Sequence, residues 1–388
     1  MALTLHGGFG PDLIHAETWS AGATPSGYSV VTTPAPTQGL GRFKAVNPAA
    51  IWSLNWTGEN SFTVQPYTWQ VLTFRADGTF SSGTDFGIIR LEGNGTGTDP
   101  IGLYGIGQAN GRYKVALVDN AGTTIHATST NDYASAADIT IRVQWDGTNC
   151  KIWIDGVLEI THATTVKPQA GNCILWWHSG NMATVTKYWS GFVCVTSDTE
   201  ADRPGTDLRR YRLDPNANTS DNGWGQPLAC ASANGRFEEW DDYAAGGAPD
   251  SGTTFNCKDA GIASHVSGLT TATAVGTILG AIGHSWQRTN VANKAALLTP
   301  KIAYAGASVL GASQVQTTAW VSHMMVQATV PGGGAWSQTV IDGLEYGTRR
   351  SDSEVADAEV SAIAVEVFAI DADPPPAATD RRRFVQLV

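Results

Sequence analysis

Charge is what this sequence has least of. Only 15% of its 388 residues are charged, against roughly 25% in an ordinary globular chain. Gly, Ala, Thr and Ser fill the difference, a mix that suits tightly assembled β proteins better than soluble helical enzymes. Basic residues number 24 against 35 acidic ones, for a net charge of −11. With no extended basic patch, direct contact with a nucleic-acid backbone is not expected. No apolar run reaches the ~20 residues of a membrane-spanning helix, so no membrane insertion is expected. The opening MALTLHGGFG has no basic-then-apolar pattern and predicts no cleaved export signal. Cysteine is sparse too. Cys150, Cys173, Cys194, Cys230 and Cys257 are widely spaced and form no C-x-x-C pair, which excludes a zinc knuckle or a redox motif. They read as buried, reduced thiols acting as small apolar residues.

Catalytic signatures are missing as well. No G-x-S-x-G elbow is present, and the eight histidines show no H-x-H or H-E-x-x-H ligand spacing. His178 and His284 each precede a serine, but neighbours along a strand point to opposite faces, so neither makes a Ser–His pair. No phosphate-binding glycine loop ends in Lys-Ser/Thr. Glycoside hydrolysis needs two carboxylates about 5–9.5 Å apart. The densest acidic stretch, Glu238, Glu239, Asp241 and Asp242, reads instead as a solvated loop. The expectation is a protein that is not an enzyme and carries no cofactor and no metal.

Hydrophobic residues, at 42%, suffice for real cores, and the length predicts two or three domains at roughly 150 residues each. Their dominant pattern is period-two alternation broken by Gly-rich turns. The run from Trp69 to Phe74 ends at Asp77-Gly78, a hairpin signal. The run from Tyr113 to Val118 ends at Asp119-Asn120-Ala121-Gly122. Ile139 to Trp145 meets Asp146-Gly147, and Cys150 to Ile154 meets Asp155-Gly156. Short strands at this spacing indicate a sandwich or barrel over residues 1–197. Residues 198–207 hold no large apolar side chain and read as a linker. Residues 208–371 read as a second β-sandwich, with Thr339–Gly347 and Glu359–Val367 among its strands.

Two stretches carry resemblances. Ile141–Gly147 followed by Lys151–Val157 resembles the paired late strands of laminin-G-like, concanavalin-A-type jelly rolls. Tyr188–Val195 resembles the closing strand of that family, and Gly7-Gly8-Phe9-Gly10 resembles the opening of its viral subset. The closing strand reads Trp189-Ser190-Gly191 where the family has aspartates, so no cation site carries over. In the second half, Trp240-Asp241-Asp242, Cys257-Lys258-Asp259, Trp286-Gln287-Arg288 and above all Trp336 to Gly347 resemble a C-terminal domain recurrent in structural proteins of tailed phages.

The chain ends differently. Asp371 to Asp380, with Pro374, Pro375 and Pro376, reads as extended chain. It leads to Arg381, Arg382, Arg383, Phe384 and Val385, within a tail over 372–388 that reads either as a frayed terminus or as an arm docking on a neighbouring subunit. Fourteen tryptophans are expected mainly in cores and subunit contacts. Trp176 and Trp177 are the candidate ligand-binding pair, because alternation turns one ring outward.

The fold expectation is all-β, two jelly-roll-like sandwiches in tandem with an extended C-terminal arm. The resemblances imply a virion component of a tailed phage: a capsid decoration protein, head fibre or tail-associated fibre. It would be made in the host cytoplasm and partnered by other virion proteins and copies of itself. Its first domain would be displayed toward host-surface glycans. A free carbohydrate-binding lectin and a concanavalin-fold glycoside hydrolase stand as alternatives.

Overall fold

The computed structural model describes residues 3–9, 28–31, 42–46, 52–55, 67–92, 100–119, 124–165, 174–177, 185–200, 204–222, 255–257, 261–274, 276–289, 297–316, 318, 321–352 and 358–372. The first half holds β1 (Thr4–Phe9), β2 (Tyr28–Val31), β3 (Arg42–Val46), β4 (Trp52–Asn55), β5 (Tyr67–Asp77), β6 (Asp85–Glu92) and β7 (Pro100–Gly107). It continues with β8 (Tyr113–Asp119), β9 (Ile125–Thr128), β10 (Asp138–Trp145), β11 (Asn149–Ile154), β12 (Val157–Ala163), β13 (Ile174–Trp177) and β14 (Thr186–Ser197). The second half holds β15 (Pro204–Leu213), β16 (Pro215–Asn222), β17 (Phe255–Cys257), β18 (Gly261–Leu269), β19 (Thr277–Thr289) and β20 (Leu297–Tyr304). It closes with β21 (Ala307–Leu310), β22 (Gln314–Val315), β23 (Val321–Gln327), α1 (Gln338–Asp342), β24 (Leu344–Asp352) and β25 (Ala358–Ala372).

These strands make four antiparallel sheets. In the first half an eight-stranded sheet, β12-β11-β10-β5-β14-β3-β2 with β1 also on β14, faces a six-stranded sheet, β4-β13-β6-β7-β8-β9. In the second half a five-stranded sheet, β15-β25-β19-β23 with β17 on β25, faces a six-stranded sheet, β16-β18-β24-β20-β21 with β22 on β20. Alternation decides which residues meet. Leu72, Phe74, Ile141, Val143, Ile152 and Phe192 fill the first core with Phe86, Leu103, Val115 and Leu117 from the facing sheet. Leu298, Ile302, Leu344 and Tyr346 meet Ala281, Val365 and Val367 in the second. Cys150 and Cys194 are buried free thiols, as expected.

A third apolar layer joins the halves. Leu5, Trp69, Val71, Trp153, Val193 and Val195, on the far face of the eight-stranded sheet, pack with Leu279, Ile282, Phe368 and Ile370 of the five-stranded sheet. Trp69 and Trp153 sit 5.9 Å apart there, and the Arg142 guanidinium lies 4.6 Å over the Trp153 ring. Arg142 also donates to the Pro204 carbonyl at 2.5 Å, tying β10 to the first residue of β15. The molecule is thus a stack of four sheets, with the eight-stranded sheet covered on both faces. At the close approach, Gly280 has φ +155°, and a Cβ there would lie 2.6 Å from the Gln327 carbonyl oxygen and 2.9 Å from Leu5 Cδ2.

Three local expectations change. The Asp77-Gly78 turn does not close a hairpin: β5 and β6 belong to different sheets. Phe80 is buried between them against Phe86 and Tyr113, which carries the chain across the sandwich. The stretch after Trp336, expected as strand from Thr339, begins as the helical turn α1. Ser337 caps it, its hydroxyl accepting from the Val340 N–H, and Val340 and Ile341 turn into the core. The segment 198–207, expected as a linker, gives its last four residues to β15. The turns at Asp146-Gly147 and Asp155-Gly156 do join paired strands. Asp155 and Gly156 both have positive φ, 49° and 83°, the hairpin geometry the Asp-Gly pair favours.

Two outcomes follow from the third layer. Phe368→Ala should cost about 3–5 kcal/mol in urea unfolding, the range for truncating a buried aromatic ring. Gly280→Ala should also destabilise, because the close backbone on one side cannot retreat. A wild-type urea midpoint for Phe368→Ala would contradict the packing.

Candidate functional site

The candidate ligand pair lies on β13, a strand inside the six-stranded sheet between β4 and β6. Trp176 is in register with Ser53 and Arg90, and Trp177 with Trp52. The two indole side chains lie outside the described residues, as does the arm from Arg381 through Arg382, Arg383 and Phe384 to Val385. The structure does settle other tryptophans: Trp69, Trp145, Trp153, Trp189 and Trp286 are buried, serving cores and the layer between the halves.

The strongest cluster of charge is buried in that layer. Glu366 shares the face of β25 that carries Phe368 and Ile370, and its carboxylate meets Arg210 Nη1 at 2.5 Å and His284 Nε2 at 2.9 Å. Arg210 comes from β15 and His284 from β19, so three strands converge on one carboxylate. Burial alone would raise the Glu366 pKa, but the Arg210 guanidinium and the His284 hydrogen bond outweigh it and hold the group at about 2. Fully enclosed, this carboxylate cannot reach a substrate. Lys187 is also 2% exposed, and burial lowers its pKa to about 8. Its Cα pairs with Ala76, which places the side chain on the core face of the first sandwich. Both groups act in the fold's interior.

The Trp336–Gly347 stretch is a structural plug. Trp336 Nε1 donates to the Ala328 carbonyl at 2.9 Å. Gln338 accepts from the Ala274 N–H at 2.9 Å and donates to the Ala272 carbonyl at 2.6 Å. It also donates to Asp342 across the helical turn. These bonds pin the turn onto the segment after β18, and Tyr346 then packs over Gly283, where no Cβ fits.

What faces outward is apolar along the sheet edges. Val157 and Leu158 are 54% and 50% exposed on β12, Ile125 is 52% exposed on β9, and Leu310 and Val315 are 40% and 61% exposed on β21 and β22. All five sit on outermost strands of their sheets. Such edges combine unpaired backbone groups with apolar side chains, the features that recruit another chain. Sequence reasoning missed them because alternation shows which residues share a face, not which strand lies last. At one edge of the first sandwich, His126 of β9 and His162 of β12 lie with ring centres 5.1 Å apart. Burial, then His126, lowers the His162 pKa. Among the described residues no group of three or more His, Cys, Asp or Glu is placed to hold a metal ion.

No protein-family model matches the chain, and no curated relative matches it. Solved structures with similar folds include a carbohydrate esterase from Shiga toxin-encoding bacteriophage phi24B, at 12% identity and a TM-score of 0.35, covering 50% of this chain and 100% of that one. The receptor-binding domain of botulinum neurotoxin type G is 15% identical with a TM-score of 0.32, covering 46% and 43%. The carbohydrate recognition domain of Emp46p is 16% identical with a TM-score of 0.28, covering 44% and 88%. At these values none assigns an activity to this chain.

The buried ionic cluster sets a pH dependence. The Glu366 pKa is lower folded than unfolded, so its stabilising contribution is present above the usual carboxylate range of about 4.3 and is lost as pH falls toward about 2. Glu366→Gln should cost about 3–5 kcal/mol at neutral pH and flatten that part of the acid-unfolding profile. Parallel urea-midpoint profiles for variant and wild type would contradict the assignment.

Proposed function

We propose that this chain is a non-enzymatic structural component of a tailed-phage particle, a capsid decoration protein or head or tail-associated fibre, whose first sandwich is displayed as a lectin-like domain toward host-surface glycans. The observation that carries the reading is the four-sheet stack with apolar outermost strands. Two sandwiches joined through a buried aromatic layer form one stiff block, and stiffness is what a displayed or spacing element requires. The exposed Val157, Leu158, Ile125, Leu310 and Val315 then give that block edges by which it can join neighbours through added strands. The stretch from Trp336 to Gly347, which resembles a domain of tailed-phage structural proteins, supports the setting, since its residues serve packing. The partners are copies of this chain and other virion proteins, with neither nucleic acid nor membrane contacted directly. Weak glycan contacts would gain avidity from copy number.

The test is assembly. The full-length chain should run as a defined homo-oligomer in native mass spectrometry, and a Val157→Lys, Leu158→Lys double variant should shift it to smaller species. Because both sites are exposed, the variant should keep its stability within about 1 kcal/mol. A wild-type monomer that ignores purified virions yet binds glycans saturably would replace this reading with that of a free lectin.

A further inference from the structure

The two sheets of the first sandwich meet at an edge with no backbone ladder between them. β9 is the outermost strand of the six-stranded sheet there, and β12 the outermost of the eight-stranded sheet. Glu159 of β12 holds the two together, its carboxylate accepting from the backbone N–H groups of Thr130 and Asn131 at 2.8 and 3.1 Å and from the Asn131 side chain. Further along the same edge His126 reaches across to His162. His162 is in register with Cys150 of β11, a core residue, so its ring is on the inward face and meets His126 between the sheets.

Their ring spacing fits a shared ion. The ring centres are 5.1 Å apart and the rings inclined at 54°. An ion bound tetrahedrally by two imidazole nitrogens at about 2.0–2.1 Å sets the ring centres about 5 Å apart. Both side chains are partly exposed at the edge of the sandwich. Nε2 of His126 is shielded from solvent and has no hydrogen-bond partner among the described residues. Simple ring contact leaves that nitrogen unsatisfied, whereas a shared ion satisfies it.

We propose that His126 and His162 form a two-imidazole site for a divalent transition-metal ion of the zinc, nickel or copper class, clipping the open edge of the sandwich. Imidazole selects these ions over calcium and magnesium, which take oxygen ligands. The described residues supply no third protein ligand, and water or another donor completes the coordination. The Glu159 clamp fixes the separation of the strands before the ion arrives. Because only the folded state brings the two rings together, binding stabilises it by mass action.

The test uses the untagged full-length chain. Titration with zinc chloride should give one ion per chain bound at this pair and a raised melting temperature, with no rise from calcium chloride. His126→Gln and His162→Gln should each weaken zinc binding on the order of tenfold or more, while a His178→Gln control should not. Circular dichroism of the metal-free variants checks that they fold. Copper(II) bound to the wild-type chain should show paramagnetic-resonance couplings to two imidazole nitrogens, a readout independent of any variant. Absence of saturable zinc binding up to about 1 mM, equal affinity in wild type and both variants, or oxygen-only copper couplings would overturn the proposal.

Discussion

Everything in this structure depends on the burial of both faces of one sheet. The eight-stranded sheet packs against its own partner through Leu72, Phe74, Ile141 and Phe192. It packs against the second half through Trp69, Val71, Val193 and Val195. A sheet in a simple sandwich has a wet outer face; this one has none along its central strands. The consequence appears in β5 and β14, whose described residues are buried almost throughout, in contrast to the clean alternation of a half-exposed strand. It also explains where the charge went. Arg142, Arg210, His284 and Glu366 are enclosed, and a charge so enclosed is tolerable only when paired. The Arg210–Glu366–His284 cluster ties three neighbouring strands of the five-stranded sheet together, while the Arg142–Pro204 contact links one half to the other with a direction that a purely apolar layer lacks.

That constraint shapes the functional reading. A stack of four sheets with a continuous interior presents function at its perimeter, on the outermost strands and the loops between them. The exposed apolar side chains lie at that perimeter, and so do the two histidines that bridge the sheets. The buried carboxylate of Glu366 is instead committed to its partners Arg210 and His284 on the neighbouring strands of its own sheet.

Much of the fold was legible because it rests on local rules. Alternation from Ile139 to Trp145 and from Cys150 to Ile154, with Asp-Gly turns after each, specified paired antiparallel strands, and the register runs Trp145 to Cys150 and Ile154 to Val157. What the sequence did not yield depends on contacts distant in the chain. Asp77-Gly78 looks like any other hairpin turn until Phe80 is seen buried on the opposite sheet. Thr339–Gly343 has the composition of a strand, but Ser337 and Gly343 cap it as a helical turn. The third layer did leave a trace that went unread: Trp69 and Val71 alternate with Leu72 and Phe74, so β5 is apolar on both faces, and Val193 and Val195 repeat the pattern beside Phe192 and Cys194. The candidate site was less legible. Trp176 and Trp177 stand out by residue type and by the alternation that turns one ring outward, whereas the His126–His162 pair is 36 residues apart in sequence and is joined by the meeting of two sheet edges.

The central claim is that the two sandwiches form one body through the Trp69–Trp153–Phe368 layer, and scanning calorimetry of the full-length chain tests it most directly. The account predicts a single cooperative transition whose calorimetric and van't Hoff enthalpies agree. Two separated transitions, one for each half, would contradict it.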